Sequence, residues 1–166
     1  VVKVKPIFRY MARILIVDDE QAIRRALKDI LLLEKYEVEE AADGLDCLVQ
    51  LKQKQFDVII LDIKMPKMDG MEALDCIQQQ APDTPVVMIS GHATIDTAVE
   101  AVKKGAFDFI SKPPDLNRLL ITIRNAIDKS SLICEKKVLQ KRVSKIKVQE
   151  IVGASREIQK VRQTID

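Results

Sequence analysis

The chain has 166 residues, enough for one domain with a full core and an appendage but short for two complete domains. Its 47% apolar and 31% charged residues are those of an ordinary globular protein, and a net charge of +2 gives no overall pull toward nucleic acid or an anionic membrane. Three scattered cysteines (Cys47, Cys76, Cys134) point to reduced thiols, and no apolar run reaches the roughly 18 residues of a membrane span, so the expected location is cytoplasmic.

Residues 1–11 lack the long apolar stretch and cleavage site of a signal peptide. They read as an N-terminal extension or added residues, with Met11 as the natural start. Arg13–Val17 (RILIV) predicts a buried strand, and residues 20–34 a helix with Ile23, Leu27, Ile30 and Leu31 on one face. Tyr36–Ala41 is a weaker, more polar strand, followed by a helix over 44–54 carrying Leu45, Leu48 and Leu51. Val58–Leu61 (VIIL) and Val86–Ile89 (VVMI) bracket a helix over 70–80 with Met71, Leu74 and Ile77. A helix over 94–104 aligns Ile95, Ala98, Val99 and Val102, and Phe107–Ile110 makes the fifth strand. Residues 115–128 supply the fifth helix with Leu116, Leu119, Leu120, Ile123 and Ile127. Glycines at 44, 70 and 105 fall at helix boundaries. The whole reads as an α/β fold, (βα)5, a doubly wound five-stranded parallel sheet.

The fifth helix has no Pro or Gly to stop it before Val148. Leu132, Leu139 and Ile146 recur every seven residues with Val143 between, which predicts a C-terminal helical linker over 129–150. It is either a short coiled-coil seam or a plain solvated helix. Residues 129–147 are strongly basic, but without aromatic residues or a DNA-binding motif they read as a solvated face, so no nucleic-acid partner is expected here.

The polar residues that carry chemistry stand at strand ends. Asp18 and Asp19 follow the first strand and Asp62 the third. With strand order 2-1-3-4-5 these strands are neighbours, at the point where such sheets bind ligands. Three converging carboxylates repel one another unless a hard cation sits among them, and Mg²⁺ suits such oxygens. Alternatively Asp18, Asp19 and Glu20 only begin a helix, where acids favour the dipole. Ser90-Gly91 ends the fourth strand and Ser111-Lys112-Pro113 the fifth. A hydroxyl and an ammonium beside three acids, all on one edge of one sheet, read as a phosphoryl-transfer set.

These residues resemble a known family. The segments ILIVDDE, DVIILDIKMPKMDGMEAL and PVVMISGHATIDTAVEAVKKGAFDFISKP are similar, in order and spacing, to the receiver domain of bacterial response regulators, the CheY-like fold, over about residues 12–128. The resemblance implies that Asp62 accepts a phosphoryl group from a sensor histidine kinase. It implies that Asp18, Asp19, Asp62 and the backbone carbonyl of Lys64 hold Mg²⁺, that Ser90 bonds the phosphoryl group and that Lys112 pairs with it. Phe109 falls at the aromatic switch position, and Lys112–Pro113 at the family's usual cis peptide. Lys64 and His92 occupy the two variable positions that tune phosphoryl lifetime. Pro114 departs from the bulky apolar residue common there.

The segment IVGASREIQKVRQTID (151–166) resembles the opening of the AAA+ domain of NtrC-type activators of sigma-54 polymerase. The expectation is therefore a receiver, a linker and a cut-off AAA+ start. No G-x-x-x-x-G-K-[ST] loop is present, so the chain itself is expected not to hydrolyse ATP and to be no enzyme beyond its own phosphorylation and autodephosphorylation. A homodimer is expected through the face of the fourth helix, fifth strand and fifth helix, or through the linker. The AAA+ and DNA-binding domains of the full-length protein are its further partners, with no membrane involved. A flavodoxin-like enzyme is disfavoured by Asp-Asp-Glu-Gln after the first strand, which repels phosphate. A haloacid dehalogenase-type phosphatase needs a second Asp two positions past Asp62, where Lys64 stands. A phosphorylation-independent module with this fold is separated from the switch only by experiment.

Overall fold

A computed structural model describes residues 11–163, with side chains to residue 159. Residues 1–10 of the expected extension over 1–11, and residues 164–166 of the AAA+-like segment, lie outside the described residues. Strands and helices alternate along the chain: β1 (Arg13–Val17), α1 (Gln21–Leu33), β2 (Glu37–Ala41), α2 (Gly44–Gln53), β3 (Val58–Asp62), α3 (Gly70–Gln80), β4 (Val86–Ser90), α4 (Ile95–Lys103), β5 (Asp108–Ser111) and α5 (Leu116–Gln163). The strands form one parallel sheet in the order β2-β1-β3-β4-β5. No helix among the described residues is long and apolar enough to cross a membrane.

Apolar side chains alternate between the two faces of the sheet, and each face has its own helices. Leu15, Val17, Ile59, Leu61 and Met88 join Cys47, Leu74, Ile77 and Ala101 from α2, α3 and α4 in one core. Ile14, Ile16, Ile60, Val87 and Ile89 join Leu27 and Leu31 of α1 and Leu119, Ile123 and Ala126 of α5 in the other. The helix starts are capped where the sequence supplies a short acceptor. Asp43 accepts from the Asp46 amide, Asp69 from those of Met71 and Glu72, and Thr94 from that of Thr97.

Four strands differ by a residue from the apolar-run reading, among them β2, which starts at Glu37 and not at Tyr36. β3 and β4 each run one residue further, through Asp62 and Ser90, and β5 is shifted to Asp108–Ser111. The ladder pairs Asp62 with Ile89 and Ser90 with Ser111, because main-chain pairing continues past the point where side chains turn polar. α5 continues through Gly153 to Gln163, so no helix end marks the expected boundary at residue 150. A single glycine costs about 1 kcal/mol in a helix, too little to end one that contains no proline.

The chain divides into two units, one through Ser130 and one from Ser131. The first holds the whole sheet and both cores. In the second, Leu132, Leu139, Val143 and Ile146 are all exposed.

Candidate functional site

The carboxyl ends of β1, β3, β4 and β5 lie side by side and carry the polar set. Asp18 leaves β1 fully buried, Asp62 ends β3 at 3% exposure and Ser90 ends β4 at 2%. Lys112, the residue after β5, places its ammonium 2.7 Å from Asp18 Oδ2 and 3.1 Å from Asp62 Oδ1. One cation thus bridges acids from two different strand ends, and a buried group of two carboxylates and one ammonium is left one positive charge short. Burial pushes the Asp62 carboxyl above its ordinary range. The nearby Asp18 charge adds to this, and the Lys112 hydrogen bond opposes it. Burial also pulls on Lys112 toward the neutral form, but its bonds to Asp18 and Asp62 together outweigh that and hold its pKa above the usual lysine range.

Among the described residues, one oxygen from each of Asp18, Asp19 and Glu20 lies within 4.8 Å of the other two. Asp19 and Glu20 are exposed while Asp18 is buried, so the group opens to solvent on one side. Clustered carboxylate oxygens beside a site short of positive charge are a donor set that suits a hard divalent ion such as Mg²⁺. Glu20 entered the sequence reading only as a helix-starting acid. As the first residue before α1 it makes no side-chain cap; its amide instead donates to Asp18 Oδ1 at 2.9 Å.

Ser90 is tied into the next loop: the His92 amide donates to its Oγ at 3.2 Å, and the Lys112 amide to its carbonyl at 2.8 Å. The His92 residue itself is exposed. Lys64 lies two residues past Asp62, also exposed. Phe109 is not at the polar site. Paired with Met88 in the ladder, it is buried in the core beneath α4. The Lys112–Pro113 peptide is cis.

Two residues that sequence reasoning did not assign to the site shape it through main-chain atoms. Gly70 donates its amide to the Ile63 carbonyl at 2.7 Å, folding the β3–α3 loop back over Asp62. Arg24, on α1, donates from Nη1 to the Asp18 carbonyl at 2.6 Å and lies 3.5 Å from Glu40 on β2. Glu40 also pairs with Lys28 at 2.7 Å, and that bond holds its carboxyl below the usual range; burial opposes, and Arg24 assists. In the loop that leads to Gly70, Lys67 has a left-handed backbone (φ 68°) and its ammonium reaches Asp43 Oδ2 at 2.7 Å.

Comparison with known proteins agrees with this arrangement. The chain is 39% identical over 155 residues to the nitrogen assimilation regulatory protein NtrX of Azorhizobium caulinodans, covering 92% of this chain and 34% of that protein. It therefore spans about a third of the length of that relative. The solved structure of NtrX from Brucella abortus matches with a TM-score of 0.73 at 41% identity, over 80% of this chain and 30% of that one. The beryllofluoride-activated NtrC4 receiver domain dimer matches with a TM-score of 0.69 at 41% identity, over 72% of this chain and 99% of that one. Residues 14–124 match the family model described as the response regulator receiver domain, and with the strand order, the bridged acids and the lysine after β5 in place, the chain belongs to that family.

Proposed function

We propose that this chain is a phosphorylation-dependent switch of a two-component system, with Asp62 as the phosphoacceptor. The observation that carries this reading is the Lys112 ammonium held between Asp18 and Asp62 at 2.7 and 3.1 Å, next to the Ser90 strand end. An Asp62 oxygen attacks the phosphorus of a phosphohistidine on a sensor kinase. The P–O bond forms as the P–N bond breaks, and the imidazole leaves with the electron pair. Asp18, Asp19, Asp62 and the Lys64 carbonyl would hold Mg²⁺, which would supply positive charge to offset that of the attacking carboxylate and the phosphoryl oxygens.

Once the phosphoryl group is in place, Lys112 trades its contact with Asp62 for a phosphoryl oxygen. The Ser90 hydroxyl donates to another and gives up the His92 amide. The space that Ser90 vacates is next to β5, where Phe109 repacks, and the α4–β5–α5 face changes with it. That face carries exposed Ile95, Val99 and Val102. Homodimerisation through it, or through the linker helix over 129–150, passes the signal to the AAA+ and DNA-binding domains of a sigma-54-dependent activator in the cytoplasm. Residues 151–166 are the opening of that AAA+ domain. Lys64 and His92 set how long the phosphoryl group survives.

The test is incubation with Mg²⁺ and acetyl phosphate, read by intact mass. The wild-type chain gains one phosphoryl group and Asp62→Asn gains none. Labelling of the Asn variant, or no labelling of either, overturns the reading, and the second result favours a phosphorylation-independent module.

A further inference from the structure

Asp18 is held at each of its polar atoms. Its amide donates to the Ala41 carbonyl at 3.2 Å, and its two carboxylate oxygens accept from the Glu20 amide at 2.9 Å and from Lys112 at 2.7 Å. Its carbonyl accepts from Arg24 at 2.6 Å. The carbonyl bond differs from the others in what it controls. A peptide is planar, so fixing the Asp18 carbonyl also fixes the amide and Cα of Asp19. Asp19 is exposed, so packing does not orient it. That peptide plane places the Asp19 Cα, the point from which its carboxylate leaves the chain.

Arg24 is suited to hold it. Its side chain is 14% exposed, so its charge-assisted bond to the carbonyl is shielded from water. A guanidinium is a rigid fork, and the other side of this one faces Glu40 at 3.5 Å. Glu40 is itself anchored. It sits on β2 opposite Ile16 of β1, it pairs with Lys28 at 2.7 Å, and its carbonyl accepts from Gln50 at 2.8 Å. Glu40 also offsets the positive charge of Arg24, which otherwise repels a divalent cation nearby.

We infer that Arg24 is a positioning residue for the acidic site: clamped by Glu40, it sets the Asp18–Asp19 peptide so that both carboxylates face one cation. The inference rests on the Mg²⁺ site proposed above. It differs from a plain α1–β2 ion pair in one respect, because an ion pair contributes to stability alone, whereas a positioning contact changes ion affinity in the folded protein.

Isothermal titration of the whole chain with MgCl₂ separates the two, alongside thermal melting without the ion. Arg24→Ala raises the Mg²⁺ dissociation constant about tenfold, the scale seen when a ligand's supporting bond is removed. Arg24→Lys restores part of this, since an ammonium reaches the carbonyl but does not also hold Glu40 in fixed geometry. Lys28→Ala breaks the neighbouring Glu40 pair, lowers the melting temperature and leaves the dissociation constant within about twofold. The acetyl phosphate reaction of Arg24→Ala reaches the wild-type rate at saturating Mg²⁺ but needs more ion to do so. Equal affinity in Arg24→Ala and wild type overturns the inference while leaving the site intact. Lys28→Ala weakening binding as much as Arg24→Ala also overturns it, by reducing the effect to α1–β2 packing. If Arg24→Ala fails to fold, an unchanged constant in Arg24→Lys is decisive against it. A wild-type chain that neither binds Mg²⁺ nor takes label at Asp62 instead brings down the proposed function itself.

Discussion

A methyl group at position 70 would sit 2.1 Å from the carbonyl oxygen of Asp62 and 2.7 Å from the Cα of Ile63. Both neighbours are backbone, so nothing flexible is available to yield. Gly70→Ala must therefore displace either the start of α3 or the end of β3. The expected result is a loss of about 3 kcal/mol, at the upper end for an overpacked site, together with slower labelling of Asp62. Urea midpoints and intact mass measure the two effects, and an unchanged midpoint refutes the close approach. At this scale the gathering of Asp18, Asp62, Ser90 and Lys112 at neighbouring strand ends was legible because polar residues ending apolar strands stand out against their surroundings. Gly70 was readable only as a helix boundary, and Arg24 not at all, because bonds to a main-chain oxygen leave no pattern in side-chain types. Cys47 shows how context overrides type: burial, with a small push from Asp46, drives its thiol pKa up to about 12, so it is an inert core residue.

Between elements, Lys67 joins the β3–α3 loop to the first turn of α2 by way of Asp43. The Lys67 ammonium, and after it the Asp46 amide, holds the Asp43 carboxyl below its ordinary range, and the same contact raises Lys67. A carboxyl whose pKa falls on folding contributes stability that is complete above its unfolded value, about 4, and is lost as pH drops through the lower folded value. Wild type should therefore lose more stability than Lys67→Ala between about pH 5 and about pH 3. Urea midpoints at both pH values check this, and equal losses refute it. The order and spacing of the elements were legible because apolar runs and helical stripes alternate without ambiguity. The far end of α5 was not. The AAA+-like resemblance suggested a change at residue 151, while the local chemistry there, free of proline, lets the helix run on to Gln163.

For the molecule as a whole, the division at Ser130 has a direct consequence. Leu119, Ile123 and Ala126 of α5 are fully buried against the sheet, so the first unit needs the early turns of that helix. A chain ending at Ser130 should melt cooperatively and take label at Asp62 as the full chain does. One ending at Asp115 should not fold, since losing three buried side chains costs about 2 kcal/mol or more for each large one. Circular dichroism melting and intact mass decide both, and a folded shorter chain would show that α5 is dispensable. The match over residues 14–124 accords with that boundary.

The two outermost strands also show how the open flanks of the sheet are protected. On one side β2 (EVEEA) carries three glutamates, paired with Arg13, Lys28 and Lys54; on the other β5 has only four residues. Charge and brevity are the means by which unpaired strands avoid recruiting foreign strands. Neither rim is a long, flat, apolar strand of the kind that invites edge-to-edge, amyloid-like stacking.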